Sequence, residues 1–175
     1  MFGAPDSGRV RDDWTFAVSG LFGPVQVRVT VPDGWAVKSI VQDGRLITDA
    51  PVEMHSGEQL TGVQVVLTDK VSTVIGQLND DQGAPMTDGT VIVFADSADK
   101  WWEDSRYVRA VRPDQQGHYE IKGLPAGEYL ALAVDVVEEG MWNDPEYLES
   151  IRRYGQKVTI SEGGSHSLTL KVVMR

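Results

Sequence analysis

Residues 119–129 read Tyr119-Glu120-Ile121-Lys122-Gly123-Leu124-Pro125-Ala126-Gly127-Glu128-Tyr129. Large apolar and polar side chains alternate before and after a turn built from glycine and proline. Alternation with a period of two residues predicts strands that bury one face. Glycine and proline supply the backbone angles that a tight turn needs. The stretch therefore predicts two core β-strands joined by a sharp corner.

The same alternation recurs about every ten residues, and turn-forming residues separate the runs. Short strands at this spacing are typical of antiparallel sandwiches, whereas βαβ units need longer helical segments between strands. The sequence therefore predicts an all-β fold made of antiparallel β-sandwich domains. The predicted strands cover residues 14–18, 25–31, 35–41, 63–67, 71–78, 90–94, 107–111, 119–121, 129–134, 158–160 and 167–173.

One segment, residues 144–154, predicts a short helical insertion instead. Asp144 suits the N-cap, Pro145 the first helical position, and Gly155 a left-handed stop. Four apolar or aromatic residues recur at helical spacing, so we expect this helix to cover a sheet edge or the open end of a sandwich. They are Tyr147, Leu148, Ile151 and Tyr154.

The chain contains an internal repeat. Residues 16–21 and 119–124 share the pattern aromatic-x-aliphatic-x-Gly-Leu, and residues 52–54 correspond to 158–160. This predicts two tandem domains, one at 1–69 and one at 70–175. The first lacks counterparts of the two strands that open the second. Either the chain is cut from a longer protein, or another subunit donates the missing strand.

Three motifs of the second repeat resemble the carboxypeptidase regulatory-like domain family. Residues 13–69 are similar to the family only through the internal repeat. The resemblance implies an Ig-like/prealbumin-like (transthyretin-like) β-sandwich. It further implies a non-catalytic appendage or tandem repeat of a secreted, periplasmic or cell-surface protein. The motifs are Gly76-x-Leu78-x-Asp80-x-x-Gly83-x-Pro85, Val91-x-Val93-Phe94, and Asp114-x-x-Gly117-x-Tyr119-x-Ile121-x-Gly123-Leu124-Pro125-x-Gly127-x-Tyr129.

The charge of the chain excludes several classes of partner. Sixteen Lys and Arg stand against 26 Asp and Glu, which gives a formal net charge of −10. A nucleic-acid binder needs a positive field, so we expect no nucleic-acid partner. No apolar run approaches the roughly 18 residues of a membrane span, and the start of the chain has no signal-peptide pattern.

The sequence offers little support for catalysis. The three histidines, His55, His118 and His166, lie far apart and form no metal-binding pair. There is no Gly-x-Ser-x-Gly nucleophile elbow, no phosphate-binding loop and no cysteine. We therefore predict that the protein is not an enzyme and carries no resident cofactor.

Acidic residues before the helix suggest one metal. Asp135, Glu138, Glu139 and Asp144 crowd a single loop. Hard oxygen ligands on a flexible loop suit Ca²⁺, which takes six to eight oxygens. The spacing matches no known calcium loop, so a solvated acidic loop is the alternative interpretation.

Tryptophans give the clearest indication of a binding surface. Trp101 and Trp102 lie in a polar loop, and Trp142 precedes the helix. Two adjacent tryptophans cannot both face inward on an extended chain, so one of them is available to stack on a sugar or to anchor a protein. In the alternative, Trp101 or Trp102 folds onto Trp142 and the helix as a satellite core.

Together these observations predict a non-catalytic structural or interaction module of a larger exported or cell-surface protein. Its partner would be another protein or a second copy, with self-assembly by strand complementation as the sharper version. The alternative is an accessory module that binds a polysaccharide or another ligand through its exposed tryptophans.

Overall fold

The computed structural model describes residues 8–174, with the side chain of Met174 left out of the description. Contacts divide these residues into two compact units, one formed by 8–32 and Val37–Leu67, the other by Asp33–Ala36 and 68–174. The assignment of domains to 1–69 and 70–175 stays a prediction. No helix within the described residues has the length and apolar character needed to cross a membrane.

The first unit contains short strands and a small core. β1 (Gly23–Val25) pairs antiparallel with β4 (Val52–Met54), and β2 (Ala36–Gln42) lies between β3 (Arg45–Leu46) and β5 (Val63–Thr68) in a second sheet. The buried residues are Ile40, Ile47, Thr48 and Met54, and the Thr48 hydroxyl accepts a 2.8 Å hydrogen bond from the Ile40 N–H.

Two strands predicted for this unit do not form as expected. The prediction of a strand at 14–18 is wrong, because Trp14 has a φ of 63° and ends a turn. The Asp13 carboxylate accepts hydrogen bonds from the Thr15 N–H at 3.1 Å and the Thr15 hydroxyl at 2.7 Å. Such local side-chain bonds compete with a β-ladder. Of the strand predicted at 25–31, only Val25 lies in a ladder.

The second unit is a β-sandwich with one helical insertion. Its helix is α1 (Pro145–Ile151), and single 3₁₀ turns lie at Ala98–Lys100, Met141–Asn143 and Arg152–Tyr154. The all-β prediction and the helical insertion at 144–154 agree with this architecture. The strands are β6 (Thr73–Asn79), β7 (Thr90–Ala95), β8 (Val108–Val111), β9 (His118–Lys122), β10 (Gly127–Val134), β11 (Gln156–Ile160) and β12 (Ser165–Met174).

The two sheets of this sandwich share strand β12. One sheet has the order β9-β6-β12, and the other contains β8-β7-β10 with β11 on the far side of β10. Residues 165–171 of β12 pair in parallel with β6, and its last residues pair in parallel with β10. The prediction of purely antiparallel pairing is therefore wrong at β12, because this strand passes from one sheet to the other.

The predicted corner at 123–127 joins the two sheets. β9 ends at Lys122 in one sheet, and β10 begins at Gly127 in the other. The φ of Gly123 is 76°, a left-handed value that favours glycine. The Tyr129 hydroxyl donates a 2.8 Å hydrogen bond to the Pro125 carbonyl and so closes the corner.

Apolar side chains from both sheets form the central core. Tyr119 on β9 reaches across Gly76 on β6 and donates a 2.8 Å hydrogen bond to the Leu168 carbonyl on β12. A Cβ at Gly76 would overlap that carbonyl oxygen, so only glycine fits beneath the tyrosine. The core also contains Val74, Leu78, Val91, Val93, Ala131, Ala133, Ile121, Leu124, Ile160 and Leu170.

A second apolar cluster lies on the opposite face of the β7–β10 sheet. Every residue of β7 is buried, so this strand is covered on both faces. Helix α1 packs here through Leu148 and Ile151, both fully buried. The helix therefore covers the outer face of the sheet rather than an edge or an open end, because that face is itself apolar. The sheet residues involved are Ile92, Phe94, Leu130, Leu132 and Val134.

Local interactions define the ends of the helix. The Asp144 carboxylate accepts a 2.9 Å hydrogen bond from the Glu146 N–H, which is the predicted N-cap. Gly155 has a φ of −71°, so the predicted left-handed stop is wrong. A Cβ there would lie 2.8 Å from Leu130 Cβ. Glycine is thus needed for close packing on the sheet.

An ion pair connects the helical segment to the sheet. The Arg152 guanidinium donates to the Asp96 carboxylate at 2.9 Å and to the Asp96 carbonyl at 2.8 Å. Lys157 Nζ lies 3.3 Å from the same carboxylate. The hydrogen bond from Arg152 lowers the pKa of Asp96 below its ordinary value.

We predict that Ile151→Ala destabilises the second unit by about 2–5 kcal/mol, because it leaves a cavity between α1 and the sheet. Urea unfolding followed by circular dichroism measures the change. Ser150→Ala, at an exposed position of the same helix, is the control, with an expected change within about 0.5 kcal/mol. Equal effects from the two variants would contradict the packing of α1 on the sheet.

Candidate functional site

The structure places the three predicted tryptophans in different surroundings. Trp101 is only 4% exposed and donates a 2.7 Å hydrogen bond from Nε1 to the Ala95 carbonyl. Its ring lies edge-on to Phe94 at 5.4 Å within the cluster beneath α1. Trp142 is half-buried against the same cluster. These two side chains therefore form part of the satellite core that was the alternative interpretation.

Trp102 lies apart from this cluster. It is half-buried, and its ring is edge-on to Tyr107 with centroids 5.7 Å apart. Lys100 Nζ lies 4.8 Å from the Tyr107 ring centroid, and Arg106 Cζ lies 5.1 Å from it. Cations at this distance from an aromatic ring are attracted to its face. Trp102, Tyr107 and the two cations form a surface group that we call the aromatic–cation platform.

Partly buried hydrogen bonds order the loop that carries this platform. The Ser105 hydroxyl is 2.6 Å from the Lys100 carbonyl and accepts a 3.1 Å bond from the Tyr107 N–H. Arg109 donates to the carbonyls of Ser105 and Val108 at 3.0 and 2.7 Å. Burial lowers the pKa of Arg109 below its ordinary value. The platform thus rests on an ordered loop.

The acidic residues predicted for calcium do not converge. Asp144 is used as the N-cap of α1. Among residues 8–174, no group of three or more histidine or acidic side chains is placed to hold a metal ion. Since Ca²⁺ requires several oxygens from one cluster, the arrangement of Asp135, Glu138, Glu139 and Asp144 adds no support for the calcium hypothesis.

The histidines take part in local turn contacts. His55 Nδ1 lies 3.0 Å from Glu58, and hydrogen bonds from the His55 backbone and ring lower the pKa of Glu58. His118 Nδ1 lies 3.8 Å from Asp114. The ring of His166 accepts a 3.2 Å hydrogen bond from the Ser161 N–H at Nε2. Each histidine thus contacts residues close to it in sequence.

Sequence reasoning did not identify a groove on the outer face of the β9-β6-β12 sheet. Its volume is about 740 Å³, and Ile75, 41% exposed, lies in its lining. The sequence did contain a signal for this groove. In β6, β9 and β12 polar residues alternate with buried ones, so the polar residues must share one face of the sheet. The other lining residues are Gly76, Gln77, Arg112, Pro113, Asp114, His118, Tyr119, Glu120, Ser167 and Thr169.

The first unit exposes large apolar side chains. Trp14 is 85% exposed and Phe22 is 72% exposed, and Leu46 on β3 is also exposed. Burying such side chains removes apolar surface from water and is the usual driving force of protein association. Sequence analysis assigned Trp14 to a strand and therefore missed its exposure.

The first unit also has a strand edge at β1. In it, Gly23 lies opposite Met54 and Val25 opposite Val52. In the second unit, Gly127 lies opposite Ile160 and Tyr129 opposite Val158. The two strand pairs thus share one register, and the tandem repeat stays a prediction. Among residues 8–174, β1 has β4 as its single neighbour, whereas β10 pairs on its other edge with β7.

Comparisons with known proteins identify no family. No family model matches the chain, and no curated protein does. The predicted membership of the carboxypeptidase regulatory-like family therefore stays a prediction.

Several solved structures resemble the chain weakly. The TIE protein of Bacillus anthracis is 12% identical, with a TM-score of 0.38 over 62% of this chain and 19% of that one. A candidate carbohydrate binding protein of Pseudomonas aeruginosa is 15% identical, with a TM-score of 0.33 over 57% and 87%. A minor pilin of Streptococcus agalactiae is 13% identical, with a TM-score of 0.37 over 70% and 59%.

Catechol 1,2-dioxygenases are also among the matches. The chain spans about a fifth of the length of the TIE protein and less than two thirds of the pilin. With every quoted identity below 25% and every quoted TM-score below 0.5, these likenesses carry no argument about function.

We predict that stability falls as pH rises from about 10 to about 12, because burial raises the pKa of Tyr119 to about 12. The unfolded chain has the ordinary value near 10, so the contribution of neutral Tyr119 is complete below pH 10. It amounts to about 2–3 kcal/mol and is lost between pH 10 and pH 12, where the unfolded chain is ionised and the folded group is still neutral. Urea unfolding across this pH range measures the loss. A Tyr119→Phe chain that keeps the full pH dependence would contradict the assignment.

Proposed function

We propose that the chain is a non-catalytic interaction module of a larger exported or cell-surface protein. Residues 8–67 bind a protein partner in this proposal, and the sandwich of the second unit acts as a stable support. The exposure of Trp14, Phe22 and Leu46 beside a core of four buried residues carries the proposal. The family resemblance of residues 71–175 supports the location and the non-catalytic role.

A second copy of the chain is the partner that can be tested directly. Exposed apolar groups and an edge strand are features through which identical chains associate. The first unit has both, since β1 lies at the edge of a two-stranded sheet within the described residues. Self-assembly by strand complementation therefore forms part of the proposal.

We predict concentration-dependent association of the full chain in sedimentation velocity over a hundredfold dilution series. Replacing both Trp14 and Phe22 by Ser weakens association at least tenfold, because two large apolar surfaces no longer leave water. Val136→Ser is the control, since Val136 is 84% exposed in the second unit. A 19.2 kDa monomer at every concentration would exclude self-assembly.

Ligand binding at the aromatic–cation platform is the second candidate function. The specific observation is the half-buried Trp102 beside Tyr107, with Lys100 and Arg106 near the tyrosine ring. An aromatic side chain with polar neighbours is suited to stack on a sugar ring. Trp101 and Trp142 lie in the satellite core, so Trp102 is the tryptophan that this candidate requires.

If this chain binds polysaccharide through Trp102, it is retained on an insoluble glycan. We predict that Trp102→Ala then abolishes retention. A pull-down against cellulose, chitin and peptidoglycan provides the measurement. Trp142→Phe, which keeps an aromatic ring in the satellite core, is the control and should leave retention unchanged. No retention of the unmodified chain on any of the three glycans would count against this candidate.

A further inference from the structure

Residues 26–31, which follow β1, have the side-chain alternation of a strand but lie outside its ladder. Val27, Val29 and Val31 are half-buried, whereas Arg28 and Thr30 are exposed. This alternation is typical of a strand with one face toward a core. Nevertheless, the structure forms no strand at 26–31, and the ladder with β4 ends at Val25. The segment therefore keeps the side-chain alternation of a strand beyond the end of its ladder.

The second unit shows which neighbour the equivalent strand has. Because Gly23 and Gly127 occupy the same register position, an offset of 104 residues aligns 25–30 with 129–134. Residues 129–134 pair antiparallel with β7, from Tyr129 opposite Ala95 to Val134 opposite Thr90. β7 reads Thr-Val-Ile-Val-Phe-Ala and is buried throughout. The equivalent neighbour of 25–30 is therefore an apolar, β-branched strand.

We propose that residues 25–30 accept an extended apolar strand from another polypeptide, antiparallel and in the register that β7 takes against β10. This inference rests on the proposed function and names its partner by chemistry. The accepted strand carries β-branched or aromatic side chains at the positions that face the core. Main-chain hydrogen bonds supply affinity, and alternate side chains supply specificity.

Charge argues against the same segment of a second copy as this strand. Antiparallel pairing of residues 25–31 with themselves over their full length places Arg28 opposite Arg28 of the second copy. Like charges directly opposite each other destabilise a strand pair. In the β7 register, the residue opposite Arg28 is the counterpart of Ile92, which is uncharged. A strand of different sequence is therefore the better partner.

A peptide of residues 88–97, which contains β7 and the two aspartates Asp88 and Asp96, serves as the probe. Fluorescence anisotropy of the dye-labelled peptide, titrated with the full chain, measures binding. We expect saturable binding, and a scrambled peptide should bind at least tenfold more weakly. Absence of saturable binding would overturn the inference.

Proline on the acceptor segment tests the location. Since Pro24 has no N–H, we infer that β4 uses the N–H groups of the odd-numbered residues and that Gln26 points to the open edge. Gln26→Pro should weaken peptide binding about tenfold or more. Gln59→Pro, in an exposed irregular segment of the same unit, is the matched control. Binding that survives Gln26→Pro would overturn the assigned edge.

Two peptide variants test the register on the unmodified chain, so this arm does not depend on folding of the proline variant. Ile92→Glu places an acid opposite exposed Arg28 and should preserve binding or strengthen it up to about fivefold. Val93→Glu places an acid opposite half-buried Val27 and should weaken binding at least tenfold. The reverse order would overturn the register.

Experiments can exclude the self-assembly proposal without excluding the strand-acceptor proposal, and the reverse. A chain that stays monomeric but binds the peptide at Gln26 supports the strand acceptor and excludes self-assembly. A chain that associates through Trp14 and Phe22 but does not bind the peptide supports self-assembly and overturns the strand acceptor.

Discussion

Burial of one sheet on both of its faces is the constraint on which the second unit depends. All six residues of β7 are buried, and β10 is buried from Tyr129 onward. Each fully buried aliphatic or aromatic side chain contributes about 1.5–3 kcal/mol, so neither face can remain in water. The β9-β6-β12 sheet covers one face, and α1 with Trp101 covers the other. The helical insertion at 144–154 thus contributes Leu148 and Ile151 to the core.

This packing involves two residues that the sequence suggested for binding, Trp101 and Asp144, together with the core residue Tyr119. Trp101 covers the outer face and binds the Ala95 carbonyl, and Asp144 caps α1. Tyr119 uses its hydroxyl to connect β9 with β12 across Gly76. Within residues 8–174, the surfaces that this packing leaves accessible include the aromatic–cation platform around Trp102, the outer groove and parts of the first unit.

The contrast between the two units supports the functional proposals. β1 and β10 share one pairing register, but β10 lies between two neighbours and β1 has one among the described residues. A strand edge with half-buried valines is a template for pairing, which proteins usually cover or interrupt. Here the segment 25–31 keeps the alternation of a strand, and Phe22 beside it is exposed. Both features favour association with an extended partner.

The sequence by itself determined the strands, turns and helix of the second unit, because alternation, glycine positions and the Asp144 cap are local properties. The tandem repeat that it predicts stays a prediction, although the β1–β4 and β10–β11 pairs share one register. Only the tertiary structure decided that β12 joins both sheets, that α1 covers a sheet face, and which of Trp101 and Trp102 is buried. These outcomes depend on which apolar surfaces meet across the fold. Alternation with a period of two residues predicts that one face of a strand is buried, but it does not predict which element covers that face.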